Sequence, residues 1–440
     1  MEEYNRKRKW GLLLLCAGFL TVGGSVAAGC TRYTPVETPA EEKMETDPLE
    51  STGSASEESV LGITDEDDKM EQKPEPVKVK GIYVSAHVAG NEEMMDSIIE
   101  QIDATELNAV VIDFKTDEGY IAAQTDSALL AETGACRDFI SDLAGLMKKL
   151  QEHDIYAIAR VVAFRDPFLA EQKPEWSLKR ADGSLYRDKS GLAWVDPYNR
   201  EVWDYLVETG IQAARAGFDE IQFDYIRFST DSTMRQVVFD ETLTEGKSRT
   251  EIITEFTSYA AEALRKEGVF VAADVFGAII GSPQDAGAVG QIYGQLAEEL
   301  DYICPMIYPS HYGDGNFGLD HPDLHPYETI LGALQKSREE LAMYGAEAAT
   351  PAQAELGQQG RESEKAEMQT GEIKQREDQA KTAVVRPWLQ DFTASYLKHY
   401  QKYGDEEIRQ QIQAVYDAGY EEWILWNAAN QYHYGGLLHE

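Results

Sequence analysis

The chain has 440 residues, about three times the ~150 of a typical single domain, so one large domain with extensions and two domains are both compatible with its length. Hydrophobic residues make up 43% and aromatic residues 10%, which is enough for a large core and excludes a wholly disordered protein. Lys and Arg total 40 against 78 Asp and Glu, and the resulting net charge of -38 disfavours binding to nucleic acid or to anionic lipid through surface charge.

The N-terminus has the order of a secretory signal. Basic residues at 6–9 precede an apolar run at 12–22, which is short for a transmembrane helix, and small residues follow to position 29. Ala27-Ala28-Gly29-Cys30 resembles a bacterial lipobox, although the familiar form has Leu where Ala27 stands. The resemblance implies that the signal peptide 1–29 is removed and that Cys30 is lipidated. The alternative is ordinary signal cleavage nearby, and both predict export.

The segment after Cys30 is acidic and poor in apolar residues. Residues 31–76 hold 14 Asp and Glu against 4 Lys and Arg, with many Ser, Thr and Pro. Such a stretch buries too little apolar surface to offset its ordering entropy, so it predicts a disordered acidic linker, and the lipidated Cys30 plus linker span 30–78. Of the four cysteines, Cys136 and Cys304 lie beyond the linker, and we expect two structural thiols rather than a disulfide.

From residue 79 onward, short apolar runs alternate with amphipathic stretches. The runs suit parallel strands covered on both faces, and they lie at 81–86, 109–114, 156–162, 220–223, 270–275, 302–307, 383–389 and 422–426. Helical patterns occupy 92–107, 138–153, 200–216, 250–267, 284–300, 326–343 and 405–418. This alternation predicts an α/β protein with a (β/α)8 TIM barrel over 79–440, and a doubly wound open sheet is the alternative.

One interval interrupts the alternation. Residues 345–380 are rich in Ala, Glu, Gln, Lys and Gly and contain no aromatic residue. They fall between the sixth helix and the seventh strand, which in a barrel is the face opposite the active-site loops. We therefore predict a low-complexity surface insertion.

The carboxyl ends of the predicted strands carry the candidate chemistry. Enzymes with this fold place their reacting groups there. The strongest pattern is 217–227, where Ile221 and Phe223 alternate with Gln222 before Asp224 arrives at the end of strand four. An aspartate at that point can act as a glycosidic nucleophile or stabilise an oxocarbenium-like transition state, with Arg227 holding it ionised. The alternative is a structural Asp–Arg pair.

Asp274 ends the next predicted strand. Because neighbouring strands lie ~4.8 Å apart, its carboxyl group and that of Asp224 can flank one bond. Burial beside Val275 and Phe276 would raise its pKa and suit it to act as a general acid. The alternative is a polar residue of the barrel core. Asp224 and Asp274 are the predicted catalytic pair.

Further strand-end residues are candidates for substrate binding. Asp113 and Lys115 are two residues apart on strand two, so they either neutralise each other or contact sugar hydroxyls. The aromatic residues suit the apolar faces of sugars, Asn427 suits hydroxyls, and Lys115, Arg160 and Arg227 could accept a uronate. The predicted substrate-binding set is Asp113, Lys115, Arg160, Tyr225, Arg227, Tyr308, His311, Trp388, Gln390, Trp426 and Asn427.

Several of these segments resemble a bacterial family of glycosyl-hydrolase-like domains, the domain of unknown function 4015. The similarity covers almost all of 80–435, and its pieces are 80–83, 111–115, 223–228, 305–312 and 386–392. What it implies is a glycosidase-type barrel.

A more distant likeness connects the segment 218–227 to the strand-four signature of chitinase-like barrels. In that signature a glutamate acid follows the last aspartate by two residues, whereas this chain has Ile226 there. The substrate-assisted chitinase mechanism therefore does not carry over, and Asp224 needs another partner, for which Asp274 is best placed.

The sequence thus predicts an exported, membrane-tethered glycoside hydrolase acting on a polymer or oligosaccharide, without a cofactor or metal. A non-catalytic carbohydrate-binding lipoprotein on the same barrel is the main alternative. A metal-dependent hydrolase is less favoured, since no strand end shows a metal motif and Pro322 separates His321 from His325.

Overall fold

The structure is a computed structural model that describes residues 75–348 and 382–439. The predicted signal peptide, Cys30 and the predicted linker up to residue 74 lie outside the described residues, as do residues 349–381 of the predicted insertion and its surroundings. Every described residue belongs to one compact unit.

The described strands form one closed parallel sheet. They are β1 (Lys80–Val84), β2 (Ala109–Lys115), β3 (Tyr156–Val162), β4 (Glu220–Asp224), β5 (Phe270–Phe276), β6 (Tyr302–Met306), β7 (Val384–Val385), β8 (Trp388–Gln390) and β9 (Trp423–Trp426). β1 pairs with β2 and β9, and β5 pairs with β4 and β6, so the sheet closes on itself. β7 and β8 both pair with β6 and make up one barrel position, interrupted at Pro387, which has no N–H to donate. The predicted eight-position barrel is confirmed.

Helices surround the barrel. They are α1 (Ala86–Ala89), α2 (Glu92–Asp103), α3 (Ala128–Thr133), α4 (Leu143–Glu152), α5 (Pro167–Gln172), α6 (Arg200–Ala216), α7 (Glu241–Thr244), α8 (Arg249–Arg265), α9 (Pro283–Val289), α10 (Tyr293–Glu299), α11 (Pro326–Ala348) and α12 (Asp405–Asp417). α6 has the predicted bounds: the Asn199 side chain accepts the N–H of Glu201 at its start, and Gly217 ends it with φ 106°. None of the described helices is both long and apolar enough to cross a membrane.

Several predicted helix boundaries differ from the structure. The helices predicted at 92–107 and 138–153 are the shorter α2 (Glu92–Asp103) and α4 (Leu143–Glu152). The helix predicted at 284–300 is two helices, α9 and α10, because Gly290 ends α9 with φ +85°. A Cβ at Gly290 would lie 2.7 Å from the carbonyl oxygen of Arg249, so a side chain there would clash with α8. Helix α11 continues to Ala348, so residues 345–348, the start of the predicted insertion, are helical.

The inside of the barrel is filled by side chains in layers. Its middle is apolar and includes Val111, Ile158 and Cys304, and the Cys304 sulfur accepts a hydrogen bond from Gln222 at 3.1 Å. Cys304 and Cys136 are both free, as predicted.

The amino-terminal end of the barrel is closed by a buried ion triad. Arg386 bonds Glu220 at 2.8 Å and Glu422 at 2.9 Å, and its guanidinium lies 3.9 Å from the centre of the Tyr302 ring. The carboxyl-terminal end therefore remains as the place for a site, and a second group of charged residues converges there.

Candidate active site

The centre of the carboxyl-terminal end is Arg160, which points into the barrel from β3 and is almost fully buried. Its Nη1 bonds Asp113 from β2 at 2.7 Å, and its Nη2 bonds Asp224 from β4 at 2.6 Å. Nη1 also reaches Asp117, in the loop after β2, at 3.1 Å. One guanidinium thus holds three carboxylates at the ends of neighbouring strands, which is more negative charge than it can neutralise.

Two of the carboxylates around Arg160, Asp113 and Asp117, have pKa values shifted in opposite directions because their surroundings differ. Burial raises the pKa of Asp113 to about 6, although Arg160 opposes this, and Asp113 accepts a 2.5 Å hydrogen bond from the Tyr83 hydroxyl. Burial also disfavours the charged form of Asp117, but Arg160 and Arg165 outweigh it and lower the pKa of Asp117. Asp113 therefore titrates closer to neutrality than Asp117 does.

Asp224 lies at the end of β4 with both carboxylate oxygens occupied differently. Oδ2 accepts two bonds from Arg160, from Nε at 3.1 Å and from Nη2 at 2.6 Å. Oδ1 accepts the backbone N–H of Tyr225 at 2.6 Å. Oδ2 therefore accepts two bonds from one charged guanidinium, whereas Oδ1 accepts a single bond from a neutral backbone N–H. Oδ1 is the more nucleophilic of the two oxygens.

The backbone at Tyr225 has an uncommon conformation. Tyr225 has φ +54°, the left-handed region, which costs a non-glycine residue on the order of 1 kcal/mol. Its ring lies 3.8 Å from the Arg165 guanidinium, and its hydroxyl accepts a 2.5 Å hydrogen bond from Arg165. The Arg165 contacts hold the ring in place and stabilise the turn that follows Asp224.

Asp274 is the neighbour of Asp224 on β5. It points into the barrel and is almost fully buried, and its Oδ1 accepts a 2.6 Å hydrogen bond from the Trp388 indole N–H. Burial raises the pKa of Asp274 well above its usual value, and the negative charge of Asp224 raises it further. The Trp388 bond favours the charged form but is outweighed. These surroundings favour the protonated form of Asp274, and its Oδ2, which does not contact the indole, is the oxygen able to carry the proton.

The structure places Lys115 elsewhere than the sequence predicted. A register irregularity between Asp113 and Lys115 turns the two side chains to different faces of β2. Lys115 pairs with Asp166 at 2.6 Å, both fully buried, and lies 5.9 Å from the Tyr205 ring of α6, between barrel and helix. Of the two alternatives for this pair, mutual neutralisation is wrong, because Asp113 bonds Arg160 and Lys115 bonds Asp166.

The two predicted amide contacts also prove to be engaged within the protein. Gln390 donates to Asp323 at 3.1 Å and accepts the Ser310 N–H at 3.1 Å. Asn427 donates to the carbonyl oxygens of Asp391 and Gln431 and accepts the N–H of Ala429. Both residues shape loops at the mouth of the barrel.

Arg227 occupies an aromatic setting. Its guanidinium lies 4.3 Å from the Phe276 ring centre, 4.7 Å from that of Tyr225 and 5.3 Å from that of Trp194. Arg227 was predicted to hold Asp224 ionised, and the structure shows Arg160 bonding Asp224 through two N–H groups that share Oδ2.

The four predicted sugar-binding aromatics lie at the same end of the barrel but differ in exposure. Tyr225 and Trp426 are partly exposed, whereas Tyr308 and Trp388 are almost fully buried. Trp426 contacts the Tyr83 ring at 4.2 Å and the edge of Trp388 at 5.6 Å. Trp388 thus donates its N–H to Asp274 and is too buried to stack on a sugar. The partly exposed rings of Trp426 and Tyr225 are the ones that a ligand can reach.

A cavity of about 330 Å³ lies among the loops that follow β6 and β8, and neither Asp224 nor Asp274 lines it. His311, a predicted site residue, lines it and packs edge-on against Tyr308 at 5.0 Å. Burial lowers the pKa of His311 to about 4, so its imidazole is neutral at pH 7. Within the described ranges, no group of three or more His, Cys, Asp or Glu residues is placed to hold a metal ion.

Sequence reasoning overlooked Tyr83 and Arg165 as members of this site. Tyr83 could have been found, because it alternates with Gly81 along β1 and so points inward like Asp113 on β2. Arg165 follows β3 in an irregular loop, where no periodicity predicts a direction.

A closed parallel barrel with an acid–carboxylate pair at its carboxyl-terminal end defines the class of glycosidase-like TIM barrels. The sequence matches the model of the family described as "Putative glycosyl hydrolase domain", the domain of unknown function 4015, over residues 81–356 and 354–432. The chain belongs to this family.

Two solved structures are similar to the chain. A hypothetical protein from Ruminiclostridium thermocellum is 38% identical, covering 44% of this chain and 97% of that one, with a TM-score of 0.41. The PgaB (BpsB) glycoside hydrolase domain from Bordetella bronchiseptica is 10% identical, covering 80% of this chain and 94% of that one, with a TM-score of 0.52. At that identity the second likeness shows the fold alone. Among curated proteins, none matches the sequence.

Proposed function

We propose that the chain is a glycoside hydrolase that cleaves a carbohydrate polymer or oligosaccharide by carboxylate catalysis. One observation carries the proposal: Asp274, a buried carboxyl group with a raised pKa, lies on the strand next to Asp224, which Arg160 holds through two bonds. Membership of a glycosyl-hydrolase-like family supports the same reaction class.

The proposed reaction uses the two aspartates in different roles. Asp274 donates its proton to the glycosidic oxygen as the bond to the anomeric carbon breaks, and the leaving sugar departs as an alcohol. Asp224 bears the negative charge that stabilises the oxocarbenium-like transition state. Its Oδ1 either attacks the anomeric carbon or removes a proton from an attacking water.

The separation of the two carboxyl groups determines which of these occurs. A separation of ~5–5.5 Å gives a covalent intermediate and retention, and ~6.5–9.5 Å leaves room for water and gives inversion. Neighbouring strands ~4.8 Å apart favour the shorter range and therefore retention. In the covalent route, water then attacks the anomeric carbon while Asp274 accepts its proton, and the bond between that carbon and Asp224 Oδ1 breaks, which restores both residues.

A screen for hydrolysis tests this proposal. The purified chain is incubated with a panel of polysaccharides and oligosaccharides, and new reducing ends are measured alongside binding of the same glycans. We expect at least one glycan to be cleaved, and cleavage to be lost in Asp274→Asn. Binding without cleavage across the panel would contradict hydrolysis and would support the non-catalytic carbohydrate-binding alternative.

We also propose that the protein is exported and tethered to the outer face of the cell membrane through lipid on Cys30. The support is the order of basic, apolar and small residues before Cys30 and the acidic stretch after it. Cys30→Ser should abolish incorporation of a labelled fatty acid and release the protein from the membrane fraction. Labelling that persists in Cys30→Ser would refute the anchor, and Cys16→Ser serves as the matched control.

A further inference from the structure

The cavity that His311 lines has walls that Gln390, at the end of β8, helps to hold in place. It lies between the loop after β6 and the loop after β8. Gln390, at the end of β8, bonds the loop after β6 at two points, Ser310 and Asp323, and donates to the carbonyl oxygen of Phe392 in the loop after β8. Tyr396 from the second loop donates to the Ser310 hydroxyl at 3.4 Å. The cavity is thus a built feature, and its volume of about 330 Å³ lies within the ~300–1,000 Å³ of small-molecule sites.

The cavity offers flat ring surfaces. Tyr396 lines it and is 53% exposed, although it is a large hydrophobic residue. The His321 and His399 rings also line it and are stacked 4.0 Å apart with an interplanar angle of 11°. Rings of this kind suit the apolar faces of a sugar, while the imidazole nitrogens can bond its hydroxyls.

The charges in the lining leave one cation unpaired. Lys398 lines the cavity, and no acidic partner is found for it among the described residues. The two acidic lining residues are engaged: Asp314 with His321 at 3.0 Å, and Asp323 with Gln390 and with the N–H of Gln401. Lys398 is exposed, so its ammonium group can reach an anionic ligand that enters the cavity.

The other cations at this end of the barrel are already committed. Arg160 is bonded by three carboxylates, and Lys115 is buried with Asp166. Arg160 and Lys115 are two of the three residues that the sequence suggested for a uronate. The third, Arg227, lies among the rings of Phe276, Tyr225 and Trp194 and donates to the carbonyl oxygen of Phe228. Lys398 is therefore the candidate in this cavity for binding the carboxylate of a uronate.

We propose that this cavity is a subsite for a sugar ring that carries a carboxylate, a residue of the uronic acid class. The ring stacks on Tyr396, and the carboxylate bonds Lys398 and His399. The subsite adjoins the catalytic pair because His311, in its lining, packs against Tyr308, which lies buried near Asp274 and Asp224. This assignment of substrate class rests on the proposed hydrolase function.

Binding of matched sugars tests the subsite. The probes are methyl thioglycosides, which resist hydrolysis, in three pairs: glucuronide with glucoside, galacturonide with galactoside, and mannuronide with mannoside. Dissociation constants are measured by NMR titration on the wild-type chain, on Lys398→Gln, and on Lys402→Gln, which removes an exposed charge of the same loop that does not line the cavity.

We expect one uronide to bind more tightly than its neutral partner, and Lys398→Gln to weaken that uronide by roughly 3- to 10-fold, as for a partly exposed charged hydrogen bond. The neutral sugar should be unaffected by Lys398→Gln, and Lys402→Gln should change neither. Tyr396→Ala should weaken both members of the pair. Equal affinity for acid and neutral sugars in all three pairs, or equal effects of Lys398→Gln and Lys402→Gln, would overturn the proposal.

The outcome separates this inference from the hydrolase function. Uronide binding that depends on Lys398, in a chain that cleaves no glycan, would support an acidic-sugar site and refute hydrolysis. Cleavage of neutral glycans only, with no preference for uronides in binding, would refute the subsite and leave the hydrolase intact.

Discussion

Asp224→Asn and Asp274→Asn are each expected to lower kcat by roughly 10²- to 10⁴-fold, the range for loss of an acid, base or nucleophile. Asn keeps the shape of the side chain but cannot donate the acid proton of Asp274 or supply the charge of Asp224. Asp103→Asn, at the end of the outer helix α2, is the matched control and should leave kcat unchanged. Steady-state kinetics on the glycan found by the screen measures the effect.

Substrates with different leaving groups distinguish the two roles. Aryl glycosides with acidic phenols need little protonation, so Asp274→Asn should recover much of the wild-type rate on them. Asp224→Asn should stay slow on every substrate because the charge it removes is needed in each case. Wild-type rates in either variant, or recovery of Asp224→Asn rather than Asp274→Asn, would refute this assignment.

Arg386→Met is expected to lower the free energy of unfolding by about 3–5 kcal/mol, the cost of leaving buried charge without its partner. Arg386 and Glu220 are fully buried and Glu422 nearly so, and the loss of the guanidinium leaves both carboxylates in the closed end of the barrel. Urea denaturation measures the change in the free energy of unfolding. The triad lies at the end of the barrel opposite the active site, so the substitution does not touch the catalytic residues.

Two further variants control this prediction. Arg215→Met breaks an exposed pair with Glu267 and should cost at most about 1 kcal/mol. Combining Arg386→Met with Glu220→Gln and Glu422→Gln removes all three charges but keeps acceptors for Tyr156 and for the Val79 N–H, so it should recover much of the loss. A cost for Arg386→Met no larger than that of Arg215→Met would contradict the buried triad.

The barrel could be predicted because its signals are local. Each strand is a short apolar run, and each helix has an amphipathic period with recognisable ends, as Asn199 and Gly217 show for α6. The break between α9 and α10 was missed because Gly290 alone does not reveal that α8 approaches too closely for a Cβ. Pro387 can be read from the sequence, but the division of this barrel position into β7 and β8 shows only in their separate pairings with β6.

The alternation of side chains along the strands predicted which residues of the site face into the barrel. It did not predict which side chains they bond. Period two along β4 and β5 directs Asp224 and Asp274 inward together. The same rule failed at Lys115, because the bulge in β2 shifts the period by one and sends this lysine to Asp166. A bulge leaves no clear mark in a run of apolar residues.

Other assignments failed because a side chain's partner came from a distant part of the chain. Trp388 was expected to stack on a sugar ring. Its indole N–H instead donates a hydrogen bond to Asp274, 114 residues away in sequence. Asn427 was expected to bind hydroxyls, but it bonds backbone groups of its own loop and of Asp391. Aromatic and amide residues at strand ends serve structure and ligand equally well, and only the packed loops decide between them.

The most direct test of the account is the protonation of Asp274 in the resting protein. Carbon-13 NMR of labelled aspartate carboxyl groups can follow it through a pH titration, with the Asp274 signal identified by its loss in Asp274→Asn. Because burial and Asp224 raise the pKa of Asp274, its signal should remain that of a protonated acid at pH values where an ordinary aspartate is already ionised. A signal that titrates near the ordinary aspartate value of ~3.9 would show that Asp274 is ionised at pH 7 and cannot be the acid of the proposed pair.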